Sequence, residues 1–282
     1  SNICSFFLEK SLRLAKYVAL VFPKFLLNTP EFSTTRAELA QKSVDAILDF
    51  GEKGFPGILV ETIAIFINNL AAPANTKVFS LTHRLHLTQP QAYIFDPELP
   101  YWIIYRNQLF DSVCRQLDFD VFEVFRDRQL TNKLLSSSGE LRVLKSRNLS
   151  DDGKEILDIP GYDSYISYAA AKPLSVFQYL DAPNVYLTPN MTYKPRMMKK
   201  PPHCVVNGSL AILIPKGGIV PTEKQLAYFS SEEYRAFYQI ARNFQTRSLN
   251  VDACSVFFYG LLRDEAKPAP EKFDTSVQLS FL

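Results

Sequence analysis

The chain has 282 residues, of which 47% are hydrophobic and 21% are charged, so it is long enough for a buried core and is not disordered throughout. Its 31 lysines and arginines nearly balance 29 aspartates and glutamates, and a net charge of +2 does not by itself indicate a polyanionic partner. No apolar run reaches the roughly 20 residues of a membrane-spanning helix, and no signal peptide is evident. Four widely spaced cysteines without a CxxC pair argue against a disulfide framework, so we expect a cytoplasmic protein.

Hydrophobic periodicity predicts alternating helices and strands in the first third of the chain. In chain order, the predicted elements are a helix over 3–17, a strand over 18–22, a helix over 33–42 capped by Ser33 or Thr34, and strands over 44–50 and 58–67. Helices that alternate with nearly continuous apolar strands are typical of an α/β sheet. Three strands do not close such a sheet, so we expect its remaining strands to come from preceding residues or from a partner.

From about residue 90 the predicted segments are shorter, and prolines and tyrosines become frequent. Strands are predicted over 140–144, 184–187 and 209–214. A later helix opens with a capping box at Ser230–Glu233. Its apolar side carries Tyr234, Phe237, Tyr238 and Ala241. We therefore predict two domains, an α/β domain over 1–90 and an α+β domain over 91–282, with a boundary between residues 85 and 100.

Two segments are rich in basic residues. No acidic residue lies between Asp181 and Glu223, and the basic side chains there are Lys194, Arg196, Lys199, Lys200 and Lys216. The second segment contains Arg142, Lys145 and Arg147, followed by Asn148. Basic side chains with neighbouring aromatic residues suit binding to a nucleic-acid backbone. A solvated basic surface is the alternative that the sequence leaves open.

Other kinds of chemistry have weak support in the sequence. His83 and His86 are three positions apart and face opposite sides of a strand, so we predict no metal site. Neither a phosphate-binding glycine loop nor a GxSxG nucleophile motif occurs. The triplet Glu265–Lys267 imitates the acid-x-Lys pattern of a nuclease, but such triplets are common by chance.

Seven segments follow one another in a familiar order. The first three are FLEKSLRL (7–14), VALVFPKFLL (18–27) and DFGEKGFPG (49–57). The other four are GELRVLKSRNL (139–149), PNVYL (183–187), NGSLAIL (207–213) and YFSSEEY (228–234). This order resembles the gamma-class, adenine-specific DNA methyltransferases of type II restriction-modification systems, which include Taq-like and type IIS enzymes. The resemblance implies the C-terminal portion of a Rossmann-like methyltransferase sheet followed by an α+β target-recognition domain.

The family transfers a methyl group from S-adenosylmethionine to the exocyclic amine of adenine. The adenine is flipped out of the duplex, because its amine is otherwise buried in the paired stack. The resemblance implies that Phe55, followed by Pro56, stacks on the flipped base. An ordinary loop aromatic that covers the edge of the sheet is the alternative.

The chain lacks two motifs that the family needs for catalysis. The Asn/Asp-Pro-Pro-Tyr/Phe motif is absent, because the KPPH segment at 200–203 is in the wrong place and lacks the amide and the aromatic ring. The glycine-containing loop that binds the methyl donor is absent too. Both precede this region in the family's order, so we expect no catalytic residue here. We also expect no S-adenosylmethionine bound to this chain alone, and no methylation without a preceding catalytic portion.

The resemblance also implies that double-stranded DNA is the partner of the second domain. Phosphate contacts are expected from Lys194, Arg196, Lys199 and Lys200. Phosphate or base-edge contacts are expected from Arg142, Lys145, Arg147 and Asn148, and further backbone contacts from Arg242 and Arg247. Three alternatives stay open: a non-catalytic module like a type I specificity subunit, part of a bifunctional restriction endonuclease and methyltransferase, and a plain interaction protein. A cognate restriction endonuclease is a further candidate partner, in a bacterial-type cytoplasm.

Overall fold

The structure is a computed structural model that describes residues 2–55, 57, 59–245 and 250–264. It is a mixed α/β protein with several sheets. The helices are α1 (Ile3–Leu14), α2 (Ser33–Ala40), α3 (Gln91–Ile94), α4 (Gln108–Gln116), α5 (Tyr168–Ala171), α6 (Glu223–Tyr228) and α7 (Glu232–Ala241). None of the helices in these described ranges is long and apolar enough to cross a membrane.

The strands are distributed along the whole described chain. Those up to residue 125 are β1 (Tyr17–Pro23), β2 (Ser43–Gly51), β3 (Thr62–Asn68), β4 (Asn75–Ser80), β5 (Leu85–Pro90), β6 (Leu117–Asp118) and β7 (Phe122–Phe125). The later ones are β8 (Leu141–Leu144), β9 (Ser164–Ile166), β10 (Tyr186–Pro189), β11 (Met198–Lys199), β12 (Cys204–Val206), β13 (Leu210–Pro215) and β14 (Leu261–Leu262).

The chain divides into two compact units. Among the described residues, the first unit holds 2–115 and 239–245, and the second holds 116–238 and 250–264. This division differs from the predicted domains of 1–90 and 91–282. The buried residues of the 94–105 segment stay with the first unit, and the chain returns to that unit at the end of α7.

The first unit is built on a five-stranded mixed sheet in the order β1-β3-β2-β4-β5. Strand β3 is antiparallel to both β1 and β2, β2 is parallel to β4, and β5 is antiparallel to β4. Strands β1, β2 and β4 therefore run in the same direction. Their carboxyl ends share one edge of the sheet, which is called the carboxyl edge below.

The two faces of this sheet differ in burial. On one face, β1 and β3 bury Val18, Phe22, Ile63, Ile65 and Ile67, as expected for continuous apolar strands. Helix α1 packs on β1 and α2 packs on β2. On the opposite face, Val21 and Phe66 are exposed to solvent.

Helix α1 is shorter than the predicted helix over 3–17. Asn2 caps its start by accepting a hydrogen bond from the Cys4 amide at 3.1 Å. The helix ends at Leu14 because Tyr17 already pairs with Asn68 in the sheet. The Asn69 side chain also donates to the carbonyl of Ala15 at 3.2 Å, beside the end of the helix.

Strands β1 and β2 lie close to their predicted positions, two other predicted elements need correction, and β4, β5, α3 and α4 have no predicted counterpart. Helix α2 follows a 3₁₀ turn at Pro30–Phe32, so neither Ser33 nor Thr34 is its cap. The strand predicted over 58–67 begins only at Thr62, because the described residues between Gly51 and Thr62 belong to no helix or strand.

The second unit contains three sheets around an aliphatic core. A four-stranded antiparallel sheet has the order β11-β10-β13-β7. Strand β8 is parallel to β12 and antiparallel to β9, and β14 pairs with β6. One apolar cluster contains Val143, Leu187, Val205 and Ile212 from the first two sheets. The strands predicted near 140, 184 and 209 are confirmed to within two residues.

Helix α7 is confirmed, and Tyr234, Phe237, Tyr238 and Ala241 are buried as predicted. Its cap differs from the prediction. The Ser231 hydroxyl accepts a hydrogen bond from the Tyr234 amide at 3.1 Å, whereas the Ser230 hydroxyl donates to the Asp152 carbonyl. Ser231 therefore caps the helix.

Gly51 ends β2 in a conformation that only glycine adopts easily. Its φ is +55°, and a Cβ at this position would clash with Thr82 Oγ1. We expect Gly51→Ala to destabilise the first unit by about 1–2 kcal/mol from the left-handed backbone alone, and by more from the clash. Urea unfolding measures this loss, and Thr82→Ala in the same chain restores part of it. Gly57→Ala (φ +79°, no atom within 4 Å) is the control, and equal losses for the two variants contradict the clash.

Candidate functional site

A buried ion cluster lies at the carboxyl edge of the first unit. Lys24 directly follows β1, Asp49 lies near the end of β2, and Glu61 directly precedes β3. The Lys24 ammonium is 2.7 Å from Asp49 Oδ2 and 3.6 Å from Glu61 Oε2, and all three side chains are at most 4% exposed. Charges that are removed from water in this way are tolerated only when they are paired, so these three groups depend on one another.

Hydrogen bonds extend the ion cluster to its neighbours. The Tyr105 hydroxyl donates to Asp49 Oδ2, and the Gly51 amide donates to Asp49 Oδ1 at 2.9 Å. Burial, and then the charge of Asp49, raise the pKa of Tyr105 well above its ordinary value, so the phenol stays protonated and acts as a donor. The aspartate thus ties together the ends of β1 and β2 and the 101–105 segment.

The ring of His83 lies in the turn after β4. Its centroid is 4.5 Å from that of Phe244 and 6.2 Å from that of Tyr105. Burial and the nearby Lys24 lower the pKa of His83, so the imidazole is neutral at pH 7. His86 instead lies on β5 and stacks on Phe79 at 4.4 Å. No group of three metal-ligating side chains occurs in the part of the chain that the structure describes.

The described residues between Gly51 and Thr62, called the Phe55 loop below, present apolar side chains at the carboxyl edge. Phe55 is 46% exposed, and Leu59 and Val60 are also exposed. Exposed Leu81 is at the same edge, because its amide donates to the Asp49 carbonyl at 2.9 Å. In open α/β sheets, ligands bind outside the carboxyl ends of the strands, and an exposed aromatic ring there can stack on a planar group. Pro56 lies outside the described residues.

In the second unit, both basic segments of the sequence meet at one group of loops. The Arg196 guanidinium donates to the carbonyls of Ser146 at 3.1 Å and Leu149 at 3.3 Å. The Ser146 amide donates to Ser209 Oγ at 2.9 Å, which adds a third loop. The segments 145–149, 194–196 and 207–209 therefore lie together.

Four of the predicted DNA-binding residues have buried side chains, namely Asn148, Arg196, Lys200 and Arg242. The Asn148 amide donates to Asp163 at 2.7 Å, and the Lys200 ammonium donates to the Leu180 carbonyl at 2.7 Å. Burial lowers the pKa of both Arg196 and Lys200. The buried side chains of Asn148, Arg196 and Lys200 hold loops of the second unit in place and do not present charge to the solvent.

Three other predicted residues have partners close by. Arg142 binds Asp158 at 2.6 Å and Asp163 at 2.9 Å. Lys145 donates to Ser164 Oγ at 2.8 Å, and burial lowers its pKa. Exposed Lys194 is 2.7 Å from Asp151, and this lysine lowers the pKa of that aspartate.

Arg147 and Lys199 are the predicted residues whose charge is presented to solvent without a carboxylate partner among the described residues. Arg147 lies on the ring of Tyr162, with Cζ 4.7 Å from the ring centroid. Arg247 and the triplet at 265–267 lie outside the described residues. Sequence reasoning did not find Asp151 or Tyr162, because both are contributed by segments distant from the basic residues that they contact.

Comparisons with known proteins do not assign the chain to a family. No protein-family model matches it, and no curated protein matches it either.

Lys24 is expected to be essential for the stability of the first unit. Lys24→Met leaves Asp49 as a buried carboxylate without its cation, which costs about 3–5 kcal/mol in comparable buried pairs. Urea unfolding tests this value, and Arg13→Met, which breaks an exposed pair with Glu9, should cost less than about 1 kcal/mol. If the two variants lose similar stability, the buried pair does not organise the carboxyl edge.

Proposed function

We propose that this chain is the C-terminal, DNA-reading region of an adenine-specific DNA methyltransferase. The observation that carries the proposal is the position of the Phe55 loop. This exposed aromatic side chain lies at the edge where β1, β2 and β4 end, which is the ligand-binding edge of open α/β sheets. The role that the family resemblance gives to Phe55, stacking on a flipped adenine, needs a ring in such a position.

The exposed face of the first unit supports the second part of the proposal, that a further α/β segment completes the sheet. Strand β1 forms an outer edge, and no strand among the described residues pairs with its free side. Val21 and Phe66 on the uncovered face are 49% and 40% exposed, and Phe7 on the outer side of α1 is 64% exposed. α/β sheets normally carry helices on both faces, so additional strands and helices fit here.

In this proposal, the completing segment supplies the chemistry that the chain lacks. S-adenosylmethionine and the Asn/Asp-Pro-Pro-Tyr/Phe motif belong to that segment, because neither the motif nor a donor-binding loop occurs in this sequence. The Phe55 side chain holds the flipped base by stacking, an interaction worth about 1–3 kcal/mol per base. The buried Lys24–Asp49 pair keeps the ends of β1 and β2 in place below it.

The second unit has the DNA-reading role. Lys199 and Lys194 supply positive charge for phosphates, and the buried Asn148, Arg196 and Lys200 give the loops a fixed shape. Double-stranded DNA is the partner, together with the completing catalytic segment or a cognate restriction endonuclease. A bacterial-type cytoplasm is the expected location.

The proposal is tested by DNA selection with the chain as it stands. The protein is mixed with duplexes that carry a randomised centre, and bound duplexes are sequenced after selection at two salt concentrations. Enrichment of a short adenine-containing site, with affinity that falls as salt rises, supports the proposal. Salt-independent capture, or no enrichment from folded protein, contradicts a DNA-reading role.

Lys199 is expected to contact a phosphate. Lys199→Ala should weaken binding to all sequences alike and lower the slope of log K against log salt by about one. Fluorescence anisotropy at four salt concentrations measures both quantities. Lys172→Ala, an exposed lysine outside both basic segments, is the control and should leave them unchanged. An unchanged slope for the Lys199 variant removes this residue from the interface.

Phe55 is expected to lie against the target base. When 5-iodouracil replaces the selected adenine, ultraviolet light should crosslink it to Phe55, because the halogenated base reacts with a stacked aromatic ring. Phe55→Leu should abolish the crosslink and weaken binding by about fivefold or more, since a stacked base contributes about 1–3 kcal/mol, and Leu81→Ala at the same edge is the control that should leave both unchanged. Crosslinks that map only to the second unit contradict the stacking role.

A further inference from the structure

The turn that carries Arg147 is held rigidly from inside. It is a 3₁₀ turn over Ser146–Asn148. The Asn148 side chain accepts from the Lys145 amide at 3.0 Å and donates to Leu157 O at 3.0 Å and Asp163 Oδ1 at 2.7 Å. These three bonds fix the backbone on which Arg147 is mounted.

Two further loops hold the same turn from outside. Ser209 Oγ accepts from the Ser146 amide at 2.9 Å, and the Arg196 guanidinium donates to the Ser146 carbonyl at 3.1 Å. Arg196 is itself buried, so this contact does not compete with solvent. Both backbone polar groups of the residue before Arg147 are therefore occupied.

The side chain of Arg147 is also oriented. Its guanidinium carbon lies 4.7 Å from the centroid of the Tyr162 ring, which also has the Lys145 ammonium 3.9 Å away. A guanidinium that stacks on an aromatic ring keeps its N–H donors at the edge of its plane, where they can form two parallel hydrogen bonds. The ring thus limits the directions in which the donors point.

No acidic group neutralises this guanidinium among the described residues. Arg142, in the same segment, binds Asp158 and Asp163. The oxygens of Asp163 are already occupied by Arg142 and Asn148. Arg147 therefore presents an exposed guanidinium in a fixed orientation, and no carboxylate among the described residues compensates its charge. In this it differs from Arg142 and Lys145 of the same segment.

We propose that Arg147 reads a guanine in the DNA site by donating two hydrogen bonds to N7 and O6 in the major groove. This inference rests on the proposed DNA-reading function. Bidentate contact between arginine and guanine needs a planar fork in a fixed orientation, whereas a phosphate is bound as well by a flexible lysine. The rigid turn and the Tyr162 ring supply that orientation.

The experiment measures affinities for the duplex selected by the wild-type protein and for duplexes in which each of its G·C pairs is changed to A·T. The wild type should discriminate against the change at one guanine by roughly 10- to 100-fold. Both Arg147→Ala and Arg147→Lys should lose that discrimination and keep the preference at the other positions. Lys199→Ala, the control, should weaken all duplexes equally.

A second variant separates orientation from folding. Tyr162→Leu retains the arginine but removes the ring beneath it, and it should reduce discrimination at the same guanine only. Circular dichroism and urea unfolding are recorded for every variant, and an Arg147 variant that is not folded is replaced by Arg147→Gln, which keeps a polar side chain of similar length.

The possible outcomes are distinct. If Arg147→Ala weakens all duplexes alike and Arg147→Lys restores them, the residue contacts a phosphate and the inference is wrong, while the DNA-reading function stands. Unchanged affinity and discrimination in both variants also overturn it. If the folded wild type binds no DNA, the proposed function itself fails, and this inference fails with it.

Discussion

The buried pair between Lys24 and Asp49 is the interaction on which the first unit depends. It joins the ends of two strands that run in the same direction but are separated in the sheet by β3. Because Asp49 also accepts from Tyr105 and from the Gly51 amide, one carboxylate connects three segments of the chain. The Phe55 loop begins directly after Gly51. Its starting position is therefore fixed by two buried charges, whose separation would cost a large free energy because each would be left buried without a partner.

The second unit uses buried cations in a similar way, but without carboxylates. Arg196 and Lys200 donate to backbone carbonyls, and each of these bonds fixes a segment that lies outside the α-helices and strands. Positive residues in a sequence segment therefore have two separate roles here. Some shape the loops from inside, and a smaller number, such as Lys199, present their charge to solvent.

The elements that could be predicted from the sequence are those whose pattern of apolar residues is visible within the segment itself. Strands β1 and β2 were predicted because their apolar residues are continuous, and α7 because its aromatic residues recur at helical spacing. Strands β4 and β5 were not predicted, since they mix polar and apolar side chains and gain their stability from pairing within the sheet. The burial of Asn148 and Arg196 depends on carbonyls and a carboxylate far away in the sequence, and spacing alone does not reveal such partners.

The turn that follows α7 has a consequence for how the protein is made. Asn243, with a φ of +51°, accepts from the Ile104 amide at 2.9 Å and donates to the Trp102 carbonyl at 2.7 Å within the first unit. Residues 116–238, which belong to the second unit, are synthesised between these partners. At typical rates of elongation the ribosome needs about 6–25 s for that stretch. During this time the Ile104 amide and the Trp102 carbonyl lack the Asn243 side chain that satisfies them in the folded protein, so this part of the first unit reaches its final hydrogen bonding only after residue 243 has been synthesised.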